Sequence, residues 1–402
     1  MSKSILTKRL SGIQPPATLT LSTKAAQLKS QGRQIVNMAV GEPDFDTPQR
    51  IRAAAIEAMN NGQTRYTPTP GTLALRQAIV AKLKRENGLS YTPEQIVVSS
   101  GAKQALNNVL SAIVEDGDEV IIPTPYWVSY ADMVAFCGGV VVPIECPIEQ
   151  SYRLKPEQLR AKLGPRVKAI MLNSPSNPSG AMYSLEELVA IGDVIREFPN
   201  VIVISDDIYE HVLVSDKPML NLANACPDLA DRVVVVNGVS KAYAMTGWRI
   251  GYSASLGDLH TSFELVQAQT TGPINAIAQA AAIEALNHSA ELVAPMASAY
   301  RERHTAMCAA LKGVRGIDFI PSEGSFYLFV KVEEAIEHLF KFGLLKEKTD
   351  MALSHLLLDQ EGLAVVPGSA FGSPGYLRLS FAASLEEIEE ACVRLKRICQ
   401  LQ

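Results

Sequence analysis

Six cysteines are spread over 402 residues with no C-x-x-C pair among them. Neither a zinc knuckle nor a disulfide framework is expected, and they read as reduced, mostly buried fillers. The six histidines show neither H-x-x-x-H nor H-E-x-x-H spacing, which leaves a metal site without support. No apolar run approaches the roughly 18 residues of a membrane span, and MSKSILTKRLSG at the N-terminus lacks a signal-peptide core and cleavage site. A cytosolic protein with no membrane role is expected. Runs of like charge are missing and the formal net charge is −5, which argues against a nucleic-acid or anionic-membrane surface. Neither G-x-x-x-x-G-K-[ST] nor G-x-G-x-x-G stands at a strand end, so a nucleotide is not favoured. What remains is a chain of ordinary globular composition, 47% hydrophobic and 20% charged, long enough for two domains and suited to small-molecule chemistry.

From about residue 48 to 290, helical patterns alternate with apolar strands, the sign of a doubly wound α/β layer. Thr47 and Pro48 read as N-cap and first helical position, with Ile51, Ala55, Ala58 and Met59 on the inner face and Gly62 as the stop. Leu75, Ile79 and Leu83 repeat every four residues in the next helix, which Asn87 and Gly88 end. QIVVSS, EVIIP, VVVPI, KAIMLNS, VIVISDD and VVVVNG follow as strands, with helices over 103–114, 127–136 and 184–198 between them. WRIGYSAS reads as a further strand, with an antiparallel direction left open. After Pro295 a long helix to about Gly313 leads into IDFI, SFYLFV, LAVVP and YLRLSF, four short strands with few helices between. Ser384 and Glu387 form a capping box that opens a last helix. The expected domains are 48–295, a large doubly wound, mostly parallel sheet, and a smaller α+β domain built from 1–47 and 296–402.

Lys241 lies just past VVVV at 233–236, where the carboxyl end of a buried parallel strand should open onto a ligand crevice. A lysine withdrawn from water has a depressed pKa and can attack a carbonyl to make a Schiff base; taken alone, it reads first as a solvated surface charge, as nearly all lysines are, and only the residues around it favour the other reading. Gly101, Ala102 and Lys103 open a helix after QIVVSS, so bare N–H groups point at a strand end and make a phosphate cradle, though many such turns hold glycine and no ligand. Asp206 and Tyr209 put a carboxylate and a phenol at a second strand end, with a helix N-cap as the alternative for Asp206. Arg249, eight residues past Lys241, suits an anion near it or a structural ion pair. Asn177 reads most simply as a turn asparagine, and Tyr126 and Trp127 as core aromatics. Arg378 inside YLRLSF needs a partner, and a carboxylate is the natural one.

In order along the chain, GEPDFDTP, Y-x-P-x-x-G-x-x-x-L-R, S-G-A-K-Q-A-L, P-Y-W-x-S-Y, N-S-P-x-N-P-x-G, S-D-x-I-Y-E-H, S-K-A-Y-A-M-T-G-W-R-I-G-Y and Y-L-R-L-S resemble the motifs of the class-I aminotransferases, fold-type-I pyridoxal-phosphate enzymes, over about residues 37–381. The subgroup the chain is most similar to contains bacterial-type aspartate aminotransferases and their prephenate-accepting relatives. The resemblance implies pyridoxal 5′-phosphate as cofactor, held covalently by Lys241, which then moves the substrate's Cα proton. It implies that Asp206 pairs with the pyridine nitrogen, that Tyr209 and Asn177 hydrogen-bond the ring oxygen, and that Trp127 stacks on the ring. The phosphate is expected on Gly101 and Ala102 and against Arg249, with Tyr66 reaching over from the second subunit of a homodimer with shared active sites. Arg378 clamps the substrate α-carboxylate with the Gly41 backbone beside it.

On the same resemblance Lys103 meets the distal carboxylate of a dicarboxylic substrate, while TTGPIN at 270–275 lacks the arginine of the other known route to acidic specificity. Gly238 stands where many relatives carry a phosphate-binding serine, leaving Ser240 or backbone to fill in. Gln14, before Pro15 and Pro16, stands where prephenate-using relatives often show lysine, which speaks against prephenate. The expected reaction is L-aspartate plus 2-oxoglutarate to oxaloacetate plus L-glutamate by a ping-pong cycle. The rivals are a prephenate or broad-specificity aminotransferase, a lyase or synthase on the same fold, and a pyridoxal-sensing regulator. The regulator needs a DNA-binding module, for which the first 40 or so residues show no helix-turn-helix pattern.

Overall fold

Val233 and Val235 pack into one apolar core and Val234 and Val236 into another, because successive side chains of a strand point to opposite faces. A strand apolar at every position is therefore buried on both sides, as a central strand of a parallel sheet must be. The computed structural model describes residue 13 and residues 17–401; the expectation resting on Gln14 lies outside the described residues.

In chain order the strands are β1 (Val36–Asn37), β2 (Ile96–Ser99), β3 (Glu119–Thr124), β4 (Val140–Glu145), β5 (Val167–Asn173), β6 (Ile202–Asp206), β7 (Val233–Gly238) and β8 (Gly251–Ser255), then β9 (Asp318–Phe319), β10 (Tyr327–Lys331), β11 (Leu363–Ala364), β12 (Val366–Pro367) and β13 (Tyr376–Ser380). Seven of them form one sheet in the order β2-β8-β7-β6-β5-β3-β4. All neighbours in it are parallel except β8, which runs antiparallel to both β7 and β2. The direction left open for WRIGYSAS is thus antiparallel. The register sets Gly251 opposite both Gly238 and Ser99. The start of the reversed strand consequently meets the carboxyl ends of its neighbours, where the crevice of an open α/β sheet lies.

A four-stranded antiparallel sheet, β12-β13-β10-β9, and a parallel pair, β1-β11, make up the remainder. Met38 N–H donates to Ala364 O and Ser380 N–H to Met38 O, both at 2.8–2.9 Å, so the segment after β1 is stitched to the smaller sheet and carries residues 39–42 toward the edge of the larger one. Helices α1 (Ala17–Ser30), α2 (Gln49–Asn60), α3 (Leu73–Asn87), α4 (Ala102–Ile113) and α5 (Ser129–Phe136) come first. Leu75, Ile79 and Leu83 are fully buried, and Gly88 ends α3 at φ 66°.

Several local readings are corrected. Pro48, not Thr47, is the N-cap of α2; the Thr47 hydroxyl instead donates to Ala244 O and accepts from the Trp248 indole. Met59 is 47% exposed and leaves the inner face to Ile51, Ala55 and Ala58. The helix Ser289–Leu311 starts six residues before Pro295 and carries it inside, because Val293, Met296 and Tyr300 bury one continuous face and outweigh the missing N–H bond. Helices Glu333–Lys341 and Asp350–Leu356 separate the later strands, which are less bare of helix than expected. Ser384 caps the helix Leu385–Cys399 with Glu387, as expected.

Candidate active site

The carboxyl ends of β2, β3, β5, β6 and β7, the start of β8, the 37–42 segment and the smaller sheet enclose a cavity of about 600 Å³. Gly41, Ala102, Lys103, Trp127, Asn177, Asp206, Tyr209, Ser240, Lys241, Arg249 and Arg378 all line it. Gly101 stands behind the wall as the N-cap of α4, at φ 84°. Tyr66 is apart from the cavity and 95% exposed, so this chain alone does not bring it to the others.

Lys241 follows β7 by three residues, and its Nζ donates to Gly41 O at 2.5 Å. Burial pulls its pKa down to about 8, helped by the Arg378 and Arg249 guanidinium groups and opposed by Glu42 and Asp206. A free amine is thus present near neutral pH, the form that attacks a carbonyl. Asp206 ends β6. Burial lifts its carboxyl to about 6, against the stabilising pull of the Tyr130 hydroxyl, the Ile208 N–H and Lys241. The Tyr130 hydroxyl donates to Asp206 Oδ2 at 2.6 Å and the Ile208 N–H to Oδ1 at 3.3 Å; the helix N-cap reading of Asp206 falls away, since no α-helix begins there.

Asn173, at the end of β5, donates to Asp206 O and accepts from Asn177 N–H. Asn177 in turn takes a hydrogen bond from Arg378 Nη1 at 3.0 Å through its side-chain oxygen, which makes it more than a turn residue. Arg378 Nη2 donates to Ala39 O at 2.8 Å. The expected carboxylate partner is not there: among the described residues Arg378, 2% exposed, has an amide, a carbonyl and the ring of Tyr327 at 4.1 Å, and its Nε has no hydrogen-bond partner. A buried guanidinium with donors to spare and no anion is set up for one that arrives from outside.

Arg249, at φ 55°, donates to Thr246 O and Ser100 O, which lays its guanidinium across the N-terminus of α4. A Cβ at Gly101 would collide with that guanidinium, and one at Gly251 with the backbone of Gly101 and Ala102. Glycine at both positions lets β8 and the helix terminus close to contact. Gly238 has no room for a side chain either, since a Cβ would sit 2.8 Å from Ile250 O. The Ser240 hydroxyl is buried with no hydrogen-bond partner among the described residues. Lys103 Nζ lies 4.9 Å from the centre of the Trp127 ring; burial, with Arg249 nearby, lowers its pKa. Trp127 meets Tyr130 edge to face. Four basic residues, Lys103, Lys241, Arg249 and Arg378, thus face two acidic ones, Glu42 and Asp206, a balance that draws anions.

A pyridoxal phosphate fits this donor set. It asks for a reactive amine, a buried carboxylate for a ring nitrogen, an aromatic wall and N–H donors for a phosphate, and the orphaned Ser240 hydroxyl lines the same cavity. Sequence reasoning missed Tyr130, Tyr327, Asn173, Glu42 and Thr246, which also line the cavity. Tyr130 closes P-Y-W-x-S-Y, three residues past Trp127 and hence on the same side of a helical turn, a signal that was available. Tyr327 looks like any strand aromatic.

The sequence pattern of the family described as aminotransferase class I and II matches residues 33–395. An aspartate/prephenate aminotransferase of Nitrosomonas europaea is 48% identical over 98% of this chain and 99% of its own. A probable aspartate/prephenate aminotransferase of Rickettsia felis is 45% identical over 98% and 97%. Among solved structures, the aspartate aminotransferase from Rhizobium meliloti superimposes with TM-score 0.92 at 39% identity, covering 98% of each chain. That of Thermus thermophilus, with maleate, gives 0.91 at 38% identity over 98% of this chain and 99% of the other.

Proposed function

The chain belongs to the class I and II aminotransferases, and from that premise we propose which substrates it takes and which residue does what. It is an aminotransferase of fold type I, and its reaction is the reversible transfer of the amino group of L-aspartate to 2-oxoglutarate, giving oxaloacetate and L-glutamate. The cofactor is pyridoxal 5′-phosphate. The observation that carries the assignment of roles is one cavity holding a half-buried amine, a buried carboxylate and a buried guanidinium that lacks an anion.

When bound, pyridoxal phosphate supplies an aldehyde carbon for amines and a ring that takes up the electron pair left as Cα loses its proton. Asp206, kept in place by Tyr130, pairs with the ring nitrogen and keeps it protonated. Tyr209 and Asn177 face the ring oxygen, and Trp127 covers the ring. The bare N–H groups of Gly101 and Ala102, the Arg249 guanidinium and the Ser240 hydroxyl hold the phosphate. Arg378, with the Gly41 backbone beside it, grips the substrate α-carboxylate, and Lys103 meets the distal one. Lys241, whose Nζ rests on Gly41 O, would hold the cofactor's aldehyde carbon and, once a substrate amine displaced it, would be the base that takes the Cα proton. Maleate, the molecule with the Thermus neighbour, is a four-carbon dicarboxylate and supports the acidic preference.

The enzyme works in the cytoplasm as a homodimer with shared active sites. Support comes from Tyr66, exposed together with Ile56, Met59 and Leu73 of α2 and α3, an apolar set that a second copy would cover while carrying its Tyr66 to the phosphate. The cofactor domain is 48–295, and 1–47 joins 296–402; the pairing of β1 with β11 and the bond from Arg394 to Gln34 O at 3.0 Å favour that division.

Prephenate as a second amino acceptor is the reading that the names of the relatives favour. Amino donors assayed with 2-oxoglutarate, and aspartate assayed with prephenate, test both. Aspartate should give the highest kcat/KM among donors; release of ammonia or pyruvate in place of glutamate would make the protein a lyase.

A further inference from the structure

We infer that Tyr327 is a positioning residue that aims the Tyr209 hydroxyl into the cavity and carries the Arg378 guanidinium on its ring. The inference rests on the proposed role of Tyr209 at the bound cofactor. In the antiparallel pair β10-β13, Tyr327 stands opposite Ser380 and Phe329 opposite Arg378. Directly opposed residues share a face, so Tyr327 and Arg378 are diagonal neighbours within reach of each other. The guanidinium carbon lies 4.1 Å from the centre of the Tyr327 ring and 5.1 Å from that of Phe371.

Burying a guanidinium demands compensation. A carboxylate partner would provide it but would also occupy the N–H fork that has to take the substrate. A π face compensates the charge from above and leaves the in-plane donors for an incoming carboxylate. That division accounts for the missing acidic partner of Arg378.

The hydroxyl does something separate. It shares a hydrogen bond of 3.1 Å with the Tyr209 hydroxyl, and both side chains are buried. A phenol has one proton. With Tyr327 as donor, the Tyr209 proton is released to point into the cavity; without it, Tyr209 is free to turn. The same hydroxyl is packed against the 37–42 segment, where a Cβ at Gly41 would lie 3.2 Å from it, and Gly41 O is the acceptor for Lys241. One side chain therefore touches the carboxylate-binding arginine, the ring-facing phenol and the loop that meets the lysine.

Tyr327→Phe keeps the ring and removes the hydroxyl. In the holoenzyme it should move the pH midpoint of the cofactor's visible absorbance upward by roughly half a unit, the share of a lost hydrogen bond, while maleate inhibition stays within about twofold of wild type. In a Tyr209→Phe background the same replacement should add no further shift. Tyr327→Leu should weaken maleate inhibition by about tenfold, the loss of a desolvated cation–π contact. An unmoved midpoint in Tyr327→Phe, a shift that persists without the Tyr209 hydroxyl, or unaltered maleate inhibition in Tyr327→Leu would each overturn the inference. A wild-type protein with no pH-dependent cofactor absorbance would instead refute the proposed function beneath it.

Discussion

At the scale of single residues, burial sets the protonation of the two groups that matter most, and it pushes them toward each other: the Lys241 amine down to about 8 and the Asp206 carboxyl up to about 6. Only the free amine captures an aldehyde, and its fraction grows as pH rises through the amine's pKa. The rate at which apoprotein takes up pyridoxal phosphate should therefore rise with pH and level off above about 8; a continued rise toward pH 10.5, the usual lysine value, would contradict the burial of this amine. Tyr130→Phe removes a 2.6 Å hydrogen bond to Asp206. Bonds to charged groups are worth about 1.5–3 kcal/mol, so kcat should fall by roughly tenfold to a hundredfold while the melting temperature moves little; an unchanged kcat would take Tyr130 out of the site. Lys241, Asp206 and Arg249 were legible in the sequence because each is a polar residue at the edge of an apolar strand, where a crevice must open. Tyr130 and Tyr327 were not, because a buried tyrosine reads as core unless its hydroxyl partner is known. Arg378 was legible as a charge in need, but its partner was misjudged: a ring and an amide stand where a carboxylate was expected.

Among the elements, the reversed strand β8 has the largest effect on the site. Running against its neighbours, it delivers Arg249 to the same edge at which the parallel strands end, and its first residue packs on the N-terminus of α4. A side chain at Gly251 would strike the backbone of Gly101 and Ala102. Overpacking of this kind costs about 1–3 kcal/mol, so Gly251→Ala should lower the melting temperature and weaken cofactor retention together; a drop in stability with cofactor affinity intact would separate β8 from the phosphate site. The apolar strands of the larger sheet were legible because burial on both faces leaves an uninterrupted run of valine and isoleucine. The end of the helix before residue 313 was legible too, but not its beginning, since packing of Val293, Met296 and Tyr300 overrides the break that Pro295 suggests. Thr47 looked like a cap; the partners of its hydroxyl, Ala244 and Trp248, lie some two hundred positions away, and local pattern carries no information about them.

For the whole molecule, the cavity exists only because two sheets and the 37–42 segment converge, with the amine on one sheet's edge and the guanidinium on the other sheet. The resemblance of eight ordered motifs pointed to that convergence, whereas periodicity alone gave the strands without their order. Tyr66 belongs to a larger scale still. Sedimentation should show a dimer, and Tyr66→Phe should weaken cofactor binding by about fivefold, the worth of one hydrogen bond of roughly 1 kcal/mol; a monomer with full activity would contradict the sharing of sites. The central claim is that one ε-amino group, that of Lys241, holds the cofactor. Borohydride reduction of the holoenzyme followed by peptide mass mapping tests it most directly: the account predicts a pyridoxyl label on Lys241, and a label on another lysine, or none, would contradict it.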